Sequence, residues 1–147
     1  MRRIAKELSS RQDINAAYMP QNYEELLDFS KTPVEFLQRE HSKEEYSKIR
    51  TYLGSMKYTA DEMEHGIGEL SGGQKAKLLF LKMSMGQNDV FVLDEPTRNF
   101  SPLSNPVIRE LLKNFGGAII SISHDRKYIQ EVCSEIYKLT ELGLAKI

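Results

Sequence analysis

The chain has 147 residues, 40% of them apolar, and a mean hydropathy of -0.46, which fits one soluble domain large enough to bury a core of its own. Twenty basic against 21 acidic side chains leave a net charge of -1 and a pI near 6.3, which excludes a global field drawing it onto nucleic acid or anionic lipid. Cys133 is the one cysteine, so an internal disulfide is excluded. No run approaches the ~20 apolar residues of a membrane helix, and a reducing, cytoplasmic setting is expected.

Residues 1–10 carry Ile4, Ala5 and Leu8 at helical spacing with no cap before Met1. The basic start leads into Glu7 instead of an apolar run, so it does not read as a signal peptide. Ile14 to Tyr18 reads as a short strand stopped by Met19-Pro20, which leaves Gln21 at a strand end. From about Glu24 to Met83 helix starts repeat. Three have the capping-box pattern: Thr32 with Glu35, Ser42 with Glu45, and Thr59 with Glu62; Gly54 is placed as a C-terminal cap. Ser71 then caps a helix running to about Met85, with Gly86 as its stop. Beyond it the chain alternates: strand 90–93, helix 106–115 with Pro106 first and Gly116 beyond, strand 118–122, helix 126–133, strand 136–139. That order predicts a parallel α/β sheet.

Three segments carry chemistry. In Leu70-Ser71-Gly72-Gly73-Gln74 two glycines leave the orphan backbone N–H groups of a helix start uncovered, a concave end suited to phosphate oxygens. Taken alone, the same residues also read as an ordinary capping box. Val90-Phe91-Val92-Leu93-Asp94-Glu95-Pro96-Thr97 is a buried-strand pattern ending in two carboxylates. Ligands of open α/β sheets gather at such strand ends, where Asp94 can hold Mg2+ and Glu95 can orient and deprotonate water. A solvated turn before Pro96 is the alternative. Ala118 to Asp125 is again a strand ending in polar residues. His124 can donate to a γ-phosphate there, or be a plain turn residue before a helix capped by Asp125. Gln21, otherwise a polar turn residue, could touch both Mg2+ and the attacking water as a hinge sensor.

In this order and at these gaps, the three segments resemble the ATP-binding-cassette (ABC) ATPases. The resemblance implies that Gln21 is the Q-loop glutamine and that Ser71, Gly72, Gly73 and Gln74 form the signature. Asp94 and Glu95 would be the magnesium and water-activating carboxylates, and His124 the switch histidine. The implied fold is α/β, a partial P-loop NTPase parallel sheet with an inserted ABC helical subdomain. Residues 1–21 would be a remnant of the ATPase core with the Q-loop strand, 22–85 the helical subdomain ending in the signature helix, and 86–147 the C-terminal half of the core. Tyr18 to Tyr23, Gln74 to Lys77 and His124 to Tyr128 look most like the ABC-F class, whose members carry two ATPase domains without a membrane part, several of them acting on ribosomes. The cofactors implied are ATP and Mg2+. The partners implied are a second ABC ATPase domain across the ATP interface, with a ribosome or a membrane transport subunit beyond it.

Two departures qualify this. Asn99-Phe100-Ser101-Pro102 stands where the family often has Asn-His-Leu-Asp, so Ser101 replaces an aspartate contact across a dimer or the contact is lost. The sequence also contains no Gly-x-x-x-x-Gly-Lys-Ser/Thr: Gly68 and Gly73 have the glycine spacing, but Gln74 follows where lysine is required. The expectation is a fragment lacking the P-loop upstream of Met1, inactive alone. The P-loop strand would lie between strands 118–122 and 136–139, so the isolated chain is expected to self-associate through that exposed edge. The competing readings are a non-catalytic module completing a partner's ATP site, and a helical nucleic-acid binder using Lys75, Lys77 and Lys82.

Overall fold

A computed structural model describes residues 1–98, 100, 102 and 105–147, so Ser101, and the D-loop expectation resting on it, lies outside the described residues. Helix α1 (Arg2–Ser9) precedes β1 (Ala16–Met19), which pairs in parallel with β2 (Val90–Asp94); β2 pairs in parallel with β3 (Ala118–Ile122). The order is β1-β2-β3, with Met19 opposite Leu93 and Asp94 opposite Ile122. Alternation along β2 builds two cores. Val90 and Val92 point to one face, with Ala5 of α1, while Phe91 and Leu93 point to the other, into the main core. Among the described residues this second core takes in α1, β1 and β2 but no residue of β3. There Ile120 and Ile122, on the strand's outward alternation, are 39% and 48% exposed.

Every element of the crossover from β1 to β2 is helical. It holds a 3₁₀ turn (Tyr23–Leu26), α2 (Pro33–Leu37), α3 (Lys43–Ser55), α4 (Ala60–Glu64), a second 3₁₀ turn (Ile67–Glu69) and α5 (Gly72–Ser84). Full capping boxes start α2, α4 and α5. α3 departs from the expectation: Ser42 accepts the Glu45 N–H, but the Glu45 carboxylate instead collects the N–H groups of Arg39, Glu40 and His41, pinning the preceding turn. Gly54 is not the cap either. α3 runs on to Ser55, and Lys57 takes the left-handed conformation at φ +68, with Tyr58 N–H bonding Leu53 C=O and Lys57 N–H bonding Gly54 C=O. This is the Schellman closure with a lysine in the usual glycine position, and Leu53 and Tyr58 are both buried.

After β2, α6 (Asn105–Lys113) returns the chain to β3. The Phe91 and Phe115 rings stack with centroids 3.8 Å apart, fixing the end of this crossover to the sheet. α7 (Arg126–Val132), capped by Asp125, packs on α6, where Arg109 bonds Glu131 at 2.6 Å. The fourth predicted strand is corrected. β4 (Tyr137–Thr140) does not join the parallel sheet but forms an exposed antiparallel hairpin with β5 (Gly143–Lys146), turning through Gly143 at φ +113. Among the described residues β3 therefore has a strand neighbour on one side only. No described helix is long and apolar enough to cross a membrane.

Candidate functional site

The carboxyl ends of three parallel strands put Gln21, Asp94, Glu95 and His124 at one end of the sheet. Gln21 lies two residues past Met19, whose partner is Leu93; Asp94 closes β2, and His124 follows β3 by two residues. Glu95 sits at φ +53, a left-handed conformation that is strained for a residue with a Cβ. Its N–H bonds Ile122 C=O at 2.9 Å, extending the β2–β3 ladder one step. The side chain is thereby turned toward the end of β3, where Oε2 accepts the His124 N–H at 3.3 Å and Oε1 stands 3.5 Å from His124 Nε2. The Glu95 side chain is 15% exposed and the His124 ring 93% exposed, so the ring can swing while the carboxylate is confined.

Glu95, Thr97, Arg98, His124 and Asp125 line an open recess of about 320 Å³. Its wall is fastened by Asp125. Partial burial pushes this carboxyl up, but the Thr97 hydroxyl, the Tyr128 and Lys127 N–H groups and the Arg109 charge together hold it below the usual carboxylate range. Thr97 is buried, and its bond to Asp125 joins the turn after β2 to the cap after β3. Behind them Tyr128 donates to Ser121 Oγ at 2.9 Å, with burial pushing its phenol up to about 12.

Ser71, Gly72, Gly73 and Gln74 form a second centre. Ser71 Oγ accepts Gln74 N–H at 3.3 Å and Ser71 N–H donates to Gln74 Oε1 at 2.9 Å, leaving Gly72 and Gly73 as the first helical residues, whose N–H groups have no acceptor within their own helix. The carbonyls are held from behind: Tyr23 O–H donates to Gly72 C=O at 2.5 Å and Tyr58 O–H to Gln74 C=O, while Gln74 Nε2 donates to the Glu62 carboxylate. Burial raises the Tyr58 phenol, and the Thr59 N–H followed by the Gln74 amide lowers Glu62. Among the described residues no hydrogen bond or ion pair joins residues 71–74 to Asp94, Glu95 or His124, so the structure brings the strand-end residues together and keeps the helix start apart from them.

The three lysines of the nucleic-acid reading are turned inward to local partners. Lys75 pairs with Glu24 at 3.2 Å, Lys77 donates to Met56 C=O at 3.3 Å, and Lys82 donates to Phe36 C=O at 2.5 Å. A basic stripe open to phosphates is therefore not what they form. Sequence reasoning missed Tyr23, Tyr58 and Thr97. Thr97 was legible only as part of its motif, since its tie to Asp125 exists only once β2 and β3 are known to be neighbours.

Asp94 and Gln21 stand at neighbouring strand ends, a carboxylate and an amide, which are oxygen-donor types that hard cations take. ABC transporter F family member 4 of Arabidopsis thaliana is 33% identical over 133 residues, 88% of this chain and 18% of that protein. The chain thus spans less than a fifth of the length of the curated relatives it matches first. A dimeric post-hydrolysis state of the ATP-binding cassette MJ0796, bound to ADP and Pi, superposes with a TM-score of 0.66 at 18% identity, covering 84% of this chain and 58% of that one. An archaeal ribosome recycling factor, aABCE1, in complex with the ribosomal stalk protein aP1, superposes with a TM-score of 0.65 at 20% identity, covering 86% of this chain and 25% of that one. These likenesses show the P-loop NTPase fold of ABC cassettes. The sequence model of the ABC transporter family matches residues 2–98, and the chain belongs to that family, with sequence relatives among its F-family members.

Proposed function

We propose that this chain is the ATP-hydrolysing portion of a cytoplasmic ABC-F-type ATPase, completed by a Gly-x-x-x-x-Gly-Lys-Ser/Thr loop that its own sequence does not contain. One observation carries the reading: the strained backbone of Glu95 aims a confined carboxylate at the exposed His124 ring, at the carboxyl ends of the parallel strands. Such a carboxylate can order a water molecule and take its proton. Asp94 and Gln21 are the residues that would hold Mg2+, which when bound neutralises phosphate charge. His124 can leave Glu95 and donate to a terminal phosphate oxygen, reporting its presence. Residues 71–74 offer backbone N–H groups to phosphate held by a second ABC ATPase domain, consistent with their separation from the strand-end residues. In this reading residues 1–21 and 86–147 are ATPase core and 22–85 the helical subdomain. A ribosome or a membrane transport subunit is the further partner, neighbours of the same fold including a ribosome recycling factor and an ABC transporter.

The test joins this chain to an upstream segment bearing the missing loop. Magnesium-dependent ATP hydrolysis is expected, and Glu95→Gln should keep ATP binding while lowering turnover by about 100-fold or more, the contribution of a general base. Near-normal turnover in that variant would remove Glu95 from its role. The well-formed helix start at residues 71–74 favours a second reading, a non-catalytic module that completes only a partner's ATP site. Hydrolysis stimulated in a partner cassette by the unextended chain would select it.

A further inference from the structure

We propose that Arg109 is a positioning residue for the recess: its buried guanidinium, held by Glu131, fixes the cap residue Asp125 and so the point at which His124 leaves β3. The proposal rests on the reading above, in which His124 and Glu95 act on nucleotide. Arg109 is 8% exposed, and Thr97 and Arg109 are the buried polar or charged residues among those described. Both converge on one group. Partial burial pushes the Asp125 carboxyl up, and both act against it, Thr97 through a hydrogen bond and Arg109 through its charge.

Packing alone does not call for a charge at this position. α6 buries Ile108 and Leu112 and α7 buries Tyr128, so an apolar side chain at position 109 would join the two helices without the cost of desolvating a cation. The guanidinium is kept in place by Glu131, whose Oε2 accepts from Nε at 2.6 Å; the Arg109 side chain is 10% exposed and that of Glu131 50%. Asp125 is itself tied to both flanks of the turn. Its N–H donates to Ser123 Oγ at 3.1 Å, and its carboxylate accepts the Lys127 and Tyr128 N–H groups at 2.9 and 3.2 Å. His124 stands between these bonded residues, with its own N–H on Glu95 Oε2 at 3.3 Å. A shift of Asp125 is therefore passed to the backbone that presents His124 to Glu95.

Arg109→Met removes the cation and keeps an unbranched stem. Adding Glu131→Met makes the contact wholly apolar, while Glu131→Gln alone keeps an acceptor for Nε and removes only the partner's charge. In the 147-residue chain, carboxyl NMR titration should place Asp125 higher than wild type in both Met variants and lower in Glu131→Gln, with the His124 amide displaced in the Met variants only. Arg109→Lys should bring both signals back toward wild type. A plain helix clamp would behave differently: the double Met variant, with its packing kept, would show the wild-type Asp125 titration and His124 amide. That result, or an Asp125 titration that does not fall in Glu131→Gln, would overturn the proposal. Glu131 is half-exposed, so its variant keeps the test open should the buried substitutions prevent folding. In the loop-bearing fusion the double Met variant should lower kcat roughly tenfold with little change in KM for ATP, the mark of lost orientation at the reacting end. An unchanged kcat would also count against Arg109. Should the fusion itself show no hydrolysis, the nucleotide reading fails while the titration still decides whether Arg109 governs Asp125 and His124.

Discussion

At Asp125 one carboxylate serves three neighbours: it caps α7 through the Lys127 and Tyr128 N–H groups and ties down Thr97 beside the recess. These bonds favour the ionised form, so its native pKa lies below the ordinary value of about 4. The resulting stability is fully present above that value and is lost as pH falls through the native one. Asp125→Asn should therefore be less stable than wild type at pH 7, with the difference shrinking below about pH 4 in urea titrations at stepped pH. A difference independent of pH would mean that the charge is not what holds the loop. Glu95 shows the reverse economy, a backbone strain tolerated at the residue that the proposed chemistry uses.

Among the elements, the β2–β3 pair depends on how closely the chain can turn before β3. A Cβ on Gly117 would overlap the Asp89 carbonyl oxygen and come within 2.7 Å of the Phe115 ring that stacks on Phe91, whereas one on Gly116 would meet nothing within 4 Å. Gly117→Ala should cost about 1–3 kcal/mol by thermal or urea unfolding, while Gly116→Ala should be nearly neutral. Local patterns made most elements legible. The capping pairs at Thr32, Thr59 and Ser71 and the apolar run of β2 are short-range signals that the fold keeps. Where the sequence reading failed, a choice between competing partners was involved. Glu45 could serve its own helix or the turn before it, and Lys57 took a left-handed position that glycine usually fills. Tyr137–Thr140 could extend the parallel sheet or fold back on Gly143–Lys146, and its exposed side chains supply no burial to decide for the sheet. The strand-end residues Asp94, Glu95 and His124 were legible because their motifs sit where strands stop; Tyr23 was not, because its partner is 49 residues away.

Across the described residues, the main core runs from Met19 through the helical crossover to Tyr128, while on the second face of the sheet α1 packs with Ala16 and Tyr18 of β1 and with Val90 and Val92 of β2. Among the described residues β3 does not pair with β4, and its edge and the exposed Ile120 and Ile122 stand together on the surface. Unpaired strand edges of this kind template association. We expect the isolated chain to form dimers or larger assemblies at micromolar concentration, seen by sedimentation velocity, and Ile120→Lys to shift it toward monomer. A monomer across that range, with slow amide exchange along residues 118–122, would show that the edge is protected without a second copy.

The same uncovered strand bears on how long the chain persists in a cell. An apolar edge strand is what chaperones and proteases survey, and steady-state abundance follows how often such surface is presented. If the remaining part of the cassette is what covers β3, supply of that part becomes the rheostat. Chain made in excess of it would be removed and chain that meets it would survive, so the quantity of assembled cassette would follow the scarcer component without a dedicated regulator.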